Sequence, residues 1–171
     1  TSFNDLIEWC LDHQRIGLEE FSGIPGTVGG AMFINIHYFS FLLADFLVEA
    51  QIIHKETELI QTVHRDWFAF GYDYSTLQTG THCLLNATFR VKPATQLDVA
   101  YARGRRTEII RHRHARYPYK GTCGSFFRNF YEHEIQQVPL KKPLIYVAYY
   151  LEQVGVKGSL SHGGACVSHQ H

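Results

Sequence analysis

Apolar residues fall at positions 3, 6, 7 and 10 (Phe3, Leu6, Ile7, Cys10), the spacing of a helix with one buried face. Thr1 or Ser2 can cap that helix, and the pattern fades near Gly17. Further on, Phe46, Val48, Ala50 and Ile52 alternate with more polar neighbours, which predicts a half-buried strand over 46–54. Lys55-Glu56-Thr57 reads as a turn into a return strand over 59–63, followed by a short apolar segment from Asp66 to Gly71. Residues 83–91 alternate cleanly, with Leu85, Ala87, Phe89 and Val91 expected on one face.

The second half of the chain reads as more helical. Thr95 is a plausible cap for a long helix running to about Ala115, bounded by Pro93 and Pro118. A strand through Ser125 follows. Pro143 then suits the first turn of a helix whose stripe of Leu144, Val147, Ala148, Leu151 and Val154 is expected to be core, with Gly155 as its stop. The chain closes on an apolar strand around Ala165–Val167.

Composition narrows the function classes. The chain has 171 residues, 45% of them hydrophobic and 19% charged, which suits an ordinary folded protein of one or two small domains. Its formal net charge is zero, so nothing pulls it globally toward nucleic acid or an anionic membrane, and neither is expected as a partner. The stretch 103–116 does carry six arginines and two histidines. Interleaved aromatics are absent, so a solvated or phosphate-facing helix end is favoured over a nucleic-acid patch. The four cysteines are scattered without a Cys-x-x-Cys pair, which suits a reducing cytoplasm. The pairs His112-x-His114 and His169-x-His171 lack a matching carboxylate or cysteine set, so no metal is expected.

Two glycine-rich stretches carry the candidate chemistry. Ser22-Gly23-Ile24-Pro25-Gly26-Thr27-Val28-Gly29-Gly30-Ala31 can form a plain turn or a nest of backbone N–H groups against a cofactor. Gly121-Thr122-Cys123-Gly124-Ser125-Phe126-Phe127-Arg128-Asn129 sets a hydroxyl, a cation and an amide within five residues. It reads either as a turn into a buried strand or as a ligand-facing rim.

Taken together and in order, these stretches resemble the UDP-N-acetylenolpyruvoylglucosamine reductases. Further matches keep the family's order: Phe70-Gly71-Tyr72 with Ser75, Arg113 and Arg116-Tyr117-Pro118, Leu151-Glu152-Gln153 with Lys157-Gly158, and Gly163-Gly164-Ala165 with Val167-Ser168. The resemblance implies an α+β chain: part of a flavin-binding domain of the vanillyl-alcohol-oxidase-like type at about 1–93, then a substrate-binding domain from 94 to 171. It also implies a cytoplasmic oxidoreductase of peptidoglycan synthesis that uses FAD and NADPH to convert UDP-N-acetylglucosamine enolpyruvate into UDP-N-acetylmuramate. By the same resemblance Gly23, Ile24, Pro25, Gly26, Thr27, Gly29, Gly30, Ala31 and Asn35 lie against FAD. Ser125 stands at the proton donor's position, while Tyr72, Ser75, Arg116 and Asn129 match substrate-holding positions.

The chain departs from the family in three places. The motif Tyr-Arg-x-Ser reads Tyr72-Asp73-Tyr74-Ser75, putting a carboxylate at a catalytic arginine's position. The segment Asn-Ala-Gly-Ala-Tyr-Gly reads Asn35-Ile36-His37-Tyr38-Phe39-Ser40, with His37 either a flavin contact or a packed residue. The family's first flavin-binding segment is expected before Thr1 and its catalytic glutamate after His171, so the chain reads as an internal fragment. Asp73 and the altered segment leave a second reading open: a non-catalytic flavin- or UDP-sugar-binding relic of the same fold.

Overall fold

Ser2 opens the first helix, α1 (Phe3–Asp12), by accepting the amide of Asp5 at 3.4 Å. In this computed structural model, which describes residues 1–118, 121–136, 139 and 143–170, two compact units form, Thr1–Ile110 and Arg111–His171.

In the first unit α1 buries Phe3, Ile7, Cys10 and Leu11, with Leu6 packed partly against the same core. The helix stops well before Gly17, because Gln14 takes a left-handed φ of 55° and turns the chain into β1 (Arg15–Ile16). Gly17 serves a different end: at its φ of +131° an added Cβ would stand 3.2 Å from the Phe46 ring. The glycine-rich stretch leads into α2 (Val28–Phe33), whose cap Thr27 accepts the Gly30 amide at 3.1 Å. A tight hairpin of β2 (His37–Tyr38) and β3 (Phe41–Leu42) follows.

The sheet comes next, built from β4 (Leu47–His54), β5 (Ile60–His64) and β6 (His82–Phe89) in the antiparallel order β5-β4-β6. Two irregularities in the β4–β6 register change which side chains point inward. Leu47 pairs with Phe89 but Glu49 with Thr88, so Val48 is an extra residue, and Leu47 rather than Val48 is buried. Gln51 pairs with Asn86 but Ile52 with Leu84, which leaves Leu85 bulged outward and 49% exposed. Leu84, Ala87 and Phe89 instead pack on the core, so the expected inward face holds except at Leu85. β7 (Lys92–Pro93) returns to pair with β1.

Thr95 caps α3 (Gln96–Arg116) as its sequence predicts: Asp98 accepts from both the Thr95 amide and hydroxyl, and Thr95 Oγ1 accepts the Asp98 amide at 3.2 Å. Those bonds lower the Asp98 pKa, the Thr95 hydroxyl first. The arginines of α3 do not form a bare basic face. Arg103 reaches Glu8 and Asp12, Arg106 reaches Glu8 at 3.0 Å, and Arg105 forks onto Glu20 with two bonds of 3.0 Å. The Glu20 hydrogen bond and charge raise the Arg105 pKa.

The second unit contains α4 (Glu132–Ile135), α5 (Val147–Gln153) and a hairpin of β8 (Ser161–His162) with β9 (Ala165–Cys166). Two expectations change here. Residues 121–131 form no strand. The last helix begins at Val147 rather than Pro143, and none of its residues is buried, so its stripe is not core; Val154 is 73% exposed.

Phe21 anchors the first unit, fully buried and edge-on to Phe3 at 5.9 Å and Phe46 at 5.8 Å. Phe21→Ala is expected to cost about 3–5 kcal/mol in urea unfolding. Trp9→Ala, at a residue 56% exposed, is expected to cost under about 1 kcal/mol.

Candidate functional site

A glycine-rich segment has few side chains with which to fix itself, and here α1 does the fixing. Asn4 Nδ2 donates to the Ile24 carbonyl at 3.0 Å, and Asn4 Oδ1 accepts the Gly23 amide at 3.1 Å. The Phe3 amide donates to Gly26 O and the Val28 amide to Thr1 O, bridging Ser2 to Thr27. Asn4 went unnoticed in the sequence, where its spacing from Gly23 carries no local signal.

This clamp leaves the outer side of the stretch open. Pro25, Gly26, Thr27, Gly29 and Gly30 are exposed, and no atom lies within 4 Å of a Cβ placed on Gly26. The amides of Gly26, Thr27 and Gly29 have no acceptor among the described residues. Ser22 Oγ, fully buried where the stretch begins, likewise has no hydrogen-bond partner. Beside the stretch runs a groove of about 590 Å³ whose lining includes Trp9, Thr27, Val28, Gly29 and Phe89. A bare, donor-rich loop next to a partly apolar groove fits a ligand that joins anionic oxygens to an aromatic body. Among the described residues no cluster of three or more His, Cys, Asp or Glu could hold a metal; His171 lies outside them.

The far end of α2 meets a second loop. Asn35, buried at a left-handed φ of 49°, donates from Nδ2 to Gly71 O at 3.0 Å and accepts the Ala44 amide at 3.2 Å. The hydroxyl of Ser75, fully buried, donates to Phe33 O at 2.8 Å. Gln78 Nε2 donates both to Phe33 O at 2.9 Å and to Asp73 O at 2.8 Å. Thus Asn35, Tyr72, Asp73 and Ser75, far apart in sequence, are stitched to one place. Asp73 has a φ of 52° and lies 3.7 Å from His37 Nδ1, while the His37 ring sits 5.3 Å from that of Tyr72.

The remaining site residues lie in the second unit. Ser125 is exposed in the irregular stretch, between Gly124 at φ +74° and two exposed phenylalanines. Asn129 Oδ1 accepts the Val147 amide at 3.3 Å, pinning the first turn of α5. Arg116 and Arg113 both approach the Tyr117 ring, at 5.6 and 5.5 Å. Arg128 forks onto Glu134 at 2.8 and 2.6 Å and lies 4.2 Å over Tyr131. The Arg128 hydrogen bond, then the Tyr131 amide, pulls Glu134 down from 4.5 to about 2.

No family model matches the chain. It is 36% identical over 91% of its length to the UDP-N-acetylenolpyruvoylglucosamine reductase of Trichormus variabilis, covering 42% of that protein. It is 31% identical over 93% of its length to the protein of the same name from Levilactobacillus brevis, covering 47% of it. The chain therefore spans about half the length of the curated relatives it matches. Its structure superposes on the crystal structure of UDP-N-acetylenolpyruvylglucosamine reductase from Thermus caldophilus with a TM-score of 0.79, at 24% identity, over all of this chain and 57% of that one. The fold is α+β and is shared with that structure.

Two measurements check the supports described above. Asn4→Ala is expected to lower stability by about 1–3 kcal/mol and to speed amide exchange at Gly23, which loses its acceptor. Glu134 is the depressed-carboxylate case. Its contribution is full above the ordinary 4.5 and is lost as pH falls through about 2. Arg128→Ala is expected to move the Glu134 carboxyl titration, followed by ¹³C NMR, up toward 4.5 and to shrink the acid-dependent loss of stability.

Proposed function

We propose that this chain, homologous to a segment of the UDP-N-acetylenolpyruvoylglucosamine reductases, belongs to an enzyme that reduces UDP-N-acetylglucosamine enolpyruvate to UDP-N-acetylmuramate. The reading places the reaction in the cytoplasm, in peptidoglycan precursor synthesis, with FAD as cofactor and NADPH as reductant. One observation carries it most: the clamped glycine-rich stretch with unengaged amides beside the groove, in a chain 36% identical over 91% of its length to such a reductase. Residues 1–93 form the flavin-side part and 94–171 the substrate-side part.

The flavin, when bound, supplies the hydride chemistry between NADPH and the enolpyruvyl double bond. The chain's own residues hold the reactants and move a proton. Gly23, Ile24, Pro25, Gly26, Thr27, Gly29, Gly30, Ala31 and Asn35 would lie against the flavin, with the open amides of Gly26, Thr27 and Gly29 available to it as donors. Tyr72 faces the substrate, whereas the buried Ser75 hydroxyl, committed to Phe33 O, fits a part in shaping the Tyr72 turn. Arg116 meets the UDP phosphates as a charged donor fork, and Asn129 orders the polypeptide beside them. Ser125 Oγ holds the proton that goes to carbon, a demanding task for a hydroxyl, so the site must favour the anion left behind.

One observation favours the relic reading. Asp73 is a carboxylate where the family motif that this stretch resembles has arginine, and at an effective dielectric near 20 a like charge about 4 Å from a developing anion opposes it by about 4 kcal/mol. In that reading the chain binds flavin or UDP-sugar without turnover.

Adding FAD to the full-length protein that carries this chain is expected to quench flavin fluorescence and sharpen its visible bands; an unchanged spectrum would sink the cofactor assignment. In the turning-over protein, Ser125→Ala is expected to cut UDP-N-acetylmuramate formation by about 10²–10⁴-fold while NADPH still reduces the flavin at near its usual rate. Equal loss of both would remove Ser125 from the proton step. Flavin binding with no turnover in the unmutated protein would favour the relic.

A further inference from the structure

Gly23 and Gly26 hold φ angles of +75° and +135°, which residues with side chains rarely adopt. The loop leading into α2 therefore owes its shape to the residues that make it least rigid. Its stiffness has to come from outside. Thr27 caps α2 and fixes the loop's end. Two main-chain bonds tie its middle to the start of α1, Phe3 N to Gly26 O at 3.0 Å and Val28 N to Thr1 O at 3.1 Å. At its beginning a single planar amide meets two consecutive residues: Asn4 accepts from the Gly23 N–H and donates to the Ile24 carbonyl.

What stands behind Asn4 makes it a fixed point. Phe3 and Ile7 root α1 in the core, and one turn beyond Asn4 the carboxylate of Glu8 takes up Arg103 and Arg106 of α3. The start of the loop is thus referred to a helix held on two sides. Further along, Pro25, Gly26 and Thr27 are exposed, and the amides of Gly26, Thr27 and Gly29 have no acceptor among the described residues. Donors arranged in advance bind an acceptor more tightly than donors that must be ordered as it arrives, because the ordering is completed on folding. Asn4 is placed to do that ordering without itself standing among the open donors.

We propose that Asn4 is a positioning residue for cofactor affinity. It holds Gly23 and Ile24 so that the amides of Gly26, Thr27 and Gly29 stand ready for a ligand that Asn4 does not touch. The identity of that ligand, FAD, rests on the reductase reading above. The clamp acts on the loop's backbone, whichever ligand the loop meets.

The test uses the full-length protein that carries this chain. Asn4→Ala removes both bonds, while Asn4→Asp keeps an acceptor for the Gly23 amide and loses the donor to Ile24. Val63→Ala, at a buried residue of β5 outside the clamp, is a control that is destabilised with the clamp intact. Asn4→Ala is expected to weaken FAD binding about tenfold and Asn4→Asp about threefold, against less than about twofold for Val63→Ala at a comparable loss of Tm. In the FAD-free protein Asn4→Ala is also expected to speed hydrogen exchange at the Val28 and Gly30 amides, whose acceptors lie along the loop's ties. If Asn4→Ala does not fold, Asn4→Asp against Val63→Ala decides the same comparison. Equal loss of FAD affinity in the Asn4 variants and the control makes Asn4 a stability residue only and overturns the proposal. Unchanged exchange at Val28 and Gly30 overturns the transmission along the loop. If the unmutated protein binds FAD and the Asn4 variants bind it as tightly, the Asn4 role falls while the reductase reading stands. If the unmutated protein takes up no FAD, the reductase reading falls and the affinity role falls with it.

Discussion

The amide of Asn4 does for the glycine-rich stretch what that stretch cannot do for itself. Glycine loses more conformational freedom on folding than any other residue, so a loop containing Gly23, Gly26, Gly29 and Gly30 settles into one shape only if something outside it fixes the backbone. Asn4 offers a donor and an acceptor from one rigid group on a buried helix, and both are used, on Ile24 O and Gly23 N. Everything downstream inherits that placement. Thr27 caps α2, the α2 end presents Phe33 O to Ser75 and Gln78, and Asn35 ties the hairpin to Gly71. A fault at Asn4 would therefore be felt at Asp73, through a chain of bonds rather than through any direct contact.

Charge plays a comparable structural part. The arginine-rich helix α3 looks in sequence like a surface for anions, yet Arg103, Arg105 and Arg106 are engaged by Glu8, Asp12 and Glu20. Exposed pairs of this kind are worth little singly, about 0–1 kcal/mol each. Their value lies in geometry: the bidentate Arg105–Glu20 fork and the shared Glu8 fix the rotation of α3 against α1, the helix that carries Asn4.

What could be read from the sequence was what local rules govern. The start of α1, the Thr95 cap of α3 and the existence of the β4, β5 and β6 strands follow from capping residues and periodicity within a few positions. What failed depended on non-local register or on absent packing. Leu85 and Val48 were placed inward by strict alternation, and one bulge on each strand reversed them. The α5 stripe looked like core, but the second unit buries little of it. At the site, the resemblance named Asn35, Tyr72 and Ser75. Their meeting depends on bonds spanning 36 and 42 residues, which no spacing rule reports. Asn4 and Gln78 gave no signal because each supports the site from outside any motif.

Asp73 and the changed segment after Asn35 look like two separate departures from the relatives' pattern when read along the chain, and each alone counts against function. In space they are one feature. A carboxylate by itself would set a negative potential where the motif this stretch resembles has a cation. Asp73 Oδ1 lies 3.7 Å from His37 Nδ1, so the carboxylate and the imidazole share one place and a charge on either acts on the other.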